Sequence, residues 1–145
     1  MSGKLEFVDT NILLYAHDPS EPDKHARAKA MLEQLWQDST GCLSVQVLQE
    51  FFVNATRKLS TPLELSTALA VIEDYSQWLV HTPNARDVLK AVSLHVSNQT
   101  LFWDAMILVS ALELGCGRVW SEDLNAGQKY AGIEVKNPFD TLSTS

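Results

Sequence analysis

The feature that most constrains this chain is an alternation of short apolar runs with longer stretches of helical periodicity. Leu5-Glu-Phe-Val-Asp9 alternates and halts at Thr10-Asn11, reading as a strand that ends on an aspartate. Gly41-Cys-Leu-Ser44, Trp78-Leu-Val-His81, Arg118-Val-Trp-Ser121 and Ile133-Glu-Val135 are the other strand candidates. Between them, helices are expected over residues 11–16, 24–38 and 45–59. A further helix starts within Ser60-Thr-Pro-Leu-Glu64, with Pro62 in its first turn, and runs to about Tyr75. Residues 84–98 follow with Asn84 as N-cap, then 102–114, stopped by Gly115. Strands joined by helical crossovers pair in parallel, and a parallel sheet is covered on both faces. The chain is therefore expected to be one α/β domain over residues 1–145, with a mostly parallel sheet between helices.

Size and composition agree. A chain of 145 residues can bury a core without disulfide or metal staples, and 46% apolar with 20% charged residues argues against disorder. Cys42 and Cys116 both sit in apolar runs, which reads as buried free thiols in a reducing compartment and leaves no zinc spacing. The first nine residues carry Lys4, Glu6 and Asp9, so no secretory segment fits there. The apolar stretch 101–114 is broken by Asp104 and Glu113 and is too short to cross a bilayer. A cytoplasmic protein with no membrane role is the expectation.

The net charge of −7 argues against a nucleic-acid binder unless several carboxylates converge on divalent cations, which invert the local charge. Ligands of such sheets gather at the carboxyl ends of the strands, near the point where strand order reverses. Asp9 ends the first strand; it fits a helix N-cap or, with Thr10 and Asn11, an oxygen-rich site. Glu50 falls opposite the apolar stripe Val45, Leu48, Phe52, Ala55 and Leu59, facing either water or a cleft. Asp104 falls on the apolar side of its helix with Ile107, Leu108 and Ala111, away from Ser110 and Glu113. It is either a first-turn aspartate favoured by the helix dipole or an inward carboxylate in need of a cation. In Ser121-Glu-Asp-Leu-Asn125 one of Glu122 and Asp123 is expected to point outward and be inert. Asp123 is the functional candidate, with turn formation as the alternative. Asp9, Glu50, Asp104 and Asp123 together make an oxygen-only set suited to Mg²⁺ or Mn²⁺.

These residues lie in segments that resemble the PIN-domain ribonucleases, and among them the VapC-type toxins of bacterial toxin–antitoxin pairs. The matching pieces are Phe7-Val-Asp-Thr-Asn-Ile-Leu-Leu-Tyr15, Ser44-Val-Gln-Val-Leu-Gln-Glu-Phe51, Phe102-Trp-Asp-Ala-Met-Ile-Leu108 and Trp120-Ser-Glu-Asp-Leu-Asn125. By position, Asp9, Glu50, Asp104 and Asp123 match the family's four acids. Asn125 stands where many relatives carry a further acid, which bears on whether a second metal is held. The resemblance implies a three-layer fold with a five-stranded parallel sheet, strands one and four adjacent. It also implies metal-dependent hydrolysis of RNA, a homodimer, and a small antitoxin. The antitoxin is expected in a groove made by residues 11–16 and the helices 24–38 and 45–59. Arg57, Lys58 and Arg86 are candidate phosphate contacts or plain surface charges.

Three other readings compete. A haloacid-dehalogenase-like phosphatase would want a second aspartate where Asn11 stands. An RNA-processing nuclease without an antitoxin would use the same acids, and a silent interaction module should have lost at least one of them. The four histidines, His17, His25, His81 and His95, pair with no nucleophile at a recognisable spacing. Trp36, Trp78, Trp103 and Trp120 are expected as core or interface anchors, with Trp103, beside Asp104, as the candidate for stacking on substrate.

Overall fold

The structure, a computed structural model, describes residues 4–124 and 129–140. Its elements are β1 (Glu6–Val8), α1 (Thr10–Tyr15), α2 (Pro22–Asp38), β2 (Gly41–Ser44), α3 (Val45–Arg57) and α4 (Leu65–Tyr75). They continue with β3 (Leu79–His81), α5 (Ala85–Asn98), α6 (Phe102–Leu114), β4 (Arg118–Trp120), β5 (Lys129–Tyr130) and β6 (Ile133–Lys136). The sheet runs β3-β2-β1-β4-β6-β5. Its first five strands are parallel, and β5 is an antiparallel addition at the edge. The five-stranded parallel sheet with β1 beside β4 is thus as expected, and the strand order reverses between those two.

All four residues of β2 are buried, and successive strand residues point to opposite faces, so both faces of the sheet are covered. Helix α6 packs on β2, β3 and β4, while α2 and α3 pack on β2. The main core joins Phe7, Val8, Leu43, Val119 and Val135 of the strands to Ile12, Leu32, Val47, Phe51, Ile107 and Leu108 of the helices. Gly41 allows one close contact here: a Cβ at that position would lie 2.4–2.6 Å from the Trp78 ring. Cys42 and Cys116 are both buried free thiols. Among the described residues no helix is long and apolar enough to cross a membrane.

Four local expectations are corrected. The buried side of α3 is Gln46, Val47, Phe51 and Ala55, whereas Phe52 is exposed and Val45 and Leu48 are half-buried. A second apolar side of α3 meets Ile72 of α4, so the helix has two apolar sides and a wheel alone cannot rank them. Pro62 lies outside α4, which begins only at Leu65. The Leu63 N–H donates to the Ala55 carbonyl at 2.9 Å, holding this segment against the end of α3. On α6, Ser110 is fully buried, because that helix is covered from Ala105 to Ala111 on every side. Strand β5 was not expected. Ala131 and Gly132, with φ 51° and 90°, form the two-residue turn between Tyr130 and Ile133 that β-hairpins favour.

Candidate functional site

The pairing of β1 with β4 builds the site. Val8 stands opposite Trp120, and the Asp9 N–H donates to the Trp120 carbonyl at 2.9 Å, so Asp9 is brought beside Ser121. Asp9 is extended (φ −77°, ψ 161°) and caps α1: its Oδ1 accepts from the Thr10 N–H at 2.7 Å. Its Oδ2 accepts from the Ser121 hydroxyl at 2.8 Å. The Ser121 Oγ in turn accepts from the N–H groups of Asp123 (3.1 Å) and Leu124 (3.2 Å). One hydroxyl therefore ties the loop after β4 to the end of β1. Across the same seam, Asn11 Nδ2 donates to Asp123 Oδ2 at 3.0 Å, and Asn11 Oδ1 accepts from the Glu122 N–H at 3.4 Å. The capping reading of Asp9 is realised, and the same side chain lines the cleft.

Helix α3 starts directly from β2 because Ser44 is its N-cap, accepting from the Val47 N–H. Glu50 then faces α1 and the cleft. Its Oε1 accepts from Thr10 Oγ1 at 2.7 Å and its Oε2 from Gln46 Nε2 at 3.3 Å. Gln46 Nε2 also reaches the Trp103 carbonyl at 3.3 Å, linking α3 to the first turn of α6. Asp104 is in that first turn, half-buried, where the helix dipole favours a negative charge. All four acids line one cleft of about 200 Å³, together with Thr10, Asn11, Leu14, Gln46, Asn54, Trp103 and Ile107.

The electrostatics of the cleft are unbalanced. Burial pushes the Asp9 carboxyl up from 3.8 to about 7; the bonds from Ser121 and Thr10 oppose this, and the charges of Glu50 and Asp123 add to it. Asp104 is also raised, first by desolvation and then by Asp123 and Glu50. Among the described residues, the charges acting on these two groups are those of other carboxylates. The acids share a cleft without converging on a point. Among the described residues no three His, Cys, Asp or Glu side chains close into a metal cage. The donor chemistry nevertheless fits a hard divalent cation, since the lining is rich in oxygen and holds no histidine or thiol. Gln46 contributes a buried Oε1 with no hydrogen-bond partner among the described residues.

Ser121 and Gln46 were not anticipated as site residues. Ser121 carried the one available signal, a hydroxyl at the start of a turn after a strand. Glu122 is not inert: it is half-buried and held by Tyr15 and Lys24. Asn125 lies outside the described residues. Arg57, Lys58 and Arg86 are exposed and none lines the acid cleft. Trp36 and Trp78 pack with Tyr75, whereas Trp103 is 61% exposed at the rim of the acids. The histidines have structural partners. His17 meets the Phe51 ring, His25 the Tyr15 carbonyl, His81 the Asp87 carboxylate and His95 the Thr100 carbonyl.

The protein is an α/β domain with an acid-lined cleft at the switch point of a parallel sheet, the place where ligands gather in folds of this class. The sequence profile of the PIN domain family matches residues 7–131, and the chain belongs to that family. Among solved structures it is similar to a toxin–antitoxin complex from Klebsiella pneumoniae (19% identity, TM-score 0.67, covering 92% of this chain and 97% of that one). It is also similar to VapC20 of Mycobacterium tuberculosis, a sarcin-ricin loop cleaving toxin (19%, 0.61, 79% and 86%). A third is DNA-bound VapBC from Salmonella typhimurium (20%, 0.62, 94% and 99%). At these identities the likeness is one of fold. No curated protein matches the chain.

Proposed function

We propose that this protein is a Mg²⁺- or Mn²⁺-dependent endoribonuclease that hydrolyses RNA phosphodiester bonds, and that it acts as the toxin of a toxin–antitoxin pair. The observation that carries the reading is the cleft, where the end of β1, α3, α6 and the loop after β4 each deliver one carboxylate and, among the described residues, the charges acting on Asp9 and Asp104 are those of other acids. A divalent cation bound there supplies charge neutralisation and Lewis acidity for attack at phosphorus. Asp9, Glu50, Asp104 and Asp123 would hold it. Ser121 and Thr10 orient Asp9, Thr10 and Gln46 orient Glu50, and Asn11 steadies Asp123. The exposed Trp103 indole beside Asp104 offers a flat apolar surface to a nucleobase.

The toxin assignment is supported by membership of the PIN family and by neighbours described as toxin–antitoxin complexes. An apolar groove of about 260 Å³, lined by Ala16, His17, Leu32, Trp36 and Tyr75 among others, suits an amphipathic antitoxin segment. Its walls come from the segment just after α1, from α2 and from the end of α4. Val88, Val92 and Val96 form an exposed apolar row along α5, with Leu89 beside it, and support a homodimer. A cytoplasmic setting, with host RNA as substrate, completes the reading.

Cleavage of RNA by the purified protein should vanish with EDTA and return with Mn²⁺ or Mg²⁺, and Mn²⁺ should raise the unfolding temperature. Activity that survives exhaustive chelation overturns the mechanism. Mapping RNA ends after a short pulse of expression, against Asp9→Asn, identifies the target. Inhibition by the product of an adjacent small reading frame tests the toxin role; binding without inhibition leaves a nuclease of another kind.

A further inference from the structure

We propose that Tyr15, Lys24 and Glu122 form a clamp that holds the loop of residues 121–124 against α1 and α2, and thereby sets the affinity of the acid cleft for a divalent cation. The proposal rests on the nuclease reading above. Glu122 and Asp123 are adjacent acids put to different uses. Asp123 bonds Asn11 at the cleft, while both oxygens of Glu122 are taken by donors from other elements. Tyr15 Oη donates to Glu122 Oε1 at 2.7 Å, and Lys24 Nζ donates to Glu122 Oε2 at 2.5 Å. Lys24 Nζ also reaches Tyr15 Oη at 3.3 Å, closing a triangle among the three side chains.

The triangle is shielded on its outer side. Lys24 Nζ lies 4.9 Å from the Tyr15 ring centroid and 5.6 Å from that of Phe139, and the two rings pack edge to face at 5.0 Å. The side chains of Lys24 and Glu122 are 33% and 24% exposed, so the pair is partly desolvated. Its charges support one another. Contact with Glu122 raises the Lys24 ammonium, and desolvation followed by Glu122 raises the Tyr15 hydroxyl. Lys24 therefore neutralises Glu122 locally and keeps its charge out of the cleft.

The loop is thus held from two sides. On the inner side the Ser121 hydroxyl ties it to Asp9; on the outer side Glu122 ties it to the last residue of α1 and the first turn of α2. With the outer anchor gone, Asp123 would keep its bonds to Ser121 and Asn11 but lose the hold of its neighbour on α1 and α2. Loss of a group that orients a metal ligand commonly costs 10- to 100-fold in metal affinity. Tyr15, Lys24 and Glu122 are positioning residues in this sense, and the chemistry at saturating metal should not depend on them.

The test is Mn²⁺ binding to the full chain, measured by calorimetry and by the paramagnetic resonance signal of free Mn²⁺, with unfolding in EDTA as the check on folding. Glu122→Ala and Lys24→Met should each weaken Mn²⁺ binding by roughly tenfold, Tyr15→Phe by less, and Lys24→Arg should stay near wild type. The Mn²⁺ concentration for half-maximal cleavage should move in step, while the rate at saturating Mn²⁺ stays close to wild type. Should Glu122→Ala fail to fold, Lys24→Met keeps the test alive, because the Lys24 side chain is one-third exposed and methionine keeps its packing against Tyr15 and Phe139. Folded variants that bind Mn²⁺ as tightly as wild type overturn the clamp and leave the nuclease reading standing. A wild-type protein that binds no Mn²⁺ overturns the nuclease reading itself, and the clamp with it.

Discussion

The central strands carry acids at both ends, and the two ends treat them in opposite ways. At the amino end Glu6, Arg118 and Glu134 stand in register across β1, β4 and β6. The Arg118 guanidinium reaches Glu6 at 3.4 Å and Glu134 at 3.2 and 3.3 Å, and lies 5.3 Å from the Trp120 ring centroid. Trp120 Nε1 adds a bond to Glu6 at 2.9 Å. At the carboxyl end β1 and β4 lead into Asp9 and the loop of Asp123, and the charges acting on Asp9 come from Glu50 and Asp123. One acid group carries its own cation; the other accumulates like charge. An acid pair is a structural brace where a guanidinium stands in register with it.

The largest effect that would break this comparison is on catalysis. Asp9→Asn or Asp104→Asn should lower cleavage on the order of 100-fold or more at any Mn²⁺ concentration, measured by single-turnover cleavage of labelled RNA. Arg118→Met should leave cleavage unchanged. If the amino-end change silences the enzyme and the carboxyl-end changes do not, the two ends have been assigned the wrong way round.

The next effect is on stability against pH. The Asp9 carboxyl is ordinarily near 3.8 and is raised to about 7 in the folded chain, which therefore holds a proton that the unfolded chain has released over that range. The stability this contributes is complete below about 3.8 and is lost as the pH rises through about 7. Urea unfolding in EDTA should show wild type losing stability from acid toward neutral pH, with Asp9→Asn flattening the slope. An identical slope in the variant would remove burial of Asp9 as its cause.

The smallest effect sharpens the contrast. The Arg118 network is partly exposed, at 35% for Arg118, 21% for Glu6 and 38% for Glu134, so solvent screens it. Arg118→Met should cost about 1 kcal/mol or less in denaturant unfolding, and high salt should narrow the difference from wild type. A loss several times larger would make the amino end the main brace of the sheet.

Much of the architecture was legible because local chemistry specified it. Strand β2 falls where Gly41-Cys-Leu-Ser44 was read, α5 is capped by the Asn84 side chain on the Asp87 N–H, and α6 ends where Gly115 adopts φ 78°. The edge hairpin was missed because its turn, Ala131-Gly132, lacks the Asn or Asp that usually marks one. Of the site, Asp9, Glu50, Asp104 and Asp123 were legible as acids at element ends or off an apolar stripe, and they line a single cleft. Ser121 and the Glu122 contacts were not legible, because they act through partners distant in the chain; Gln46 is only four residues from Glu50, but its reach to the Trp103 carbonyl is not local. Ser121 meets Asp9 across 112 positions, and Lys24 meets Glu122 across 98.

By itself, then, the sequence determined the alternation of strands and helices, the parallel sheet that follows from it, and the acids at its carboxyl edge. These depend on periodicity, caps and breakers, which act over a few residues. The tertiary structure decided which side of α3 is core and which carboxylates meet a cation of the protein's own. It decided that Val47 and Phe51 turn inward while Phe52 stays exposed, because α4 covers only part of the second apolar side. It also decided that Glu6 and Glu122 are neutralised by Arg118 and Lys24 while Asp9 and Asp104 face other acids. Burial and electrostatic pairing are sums over neighbours in space, and those neighbours exist only once the strands have been ordered.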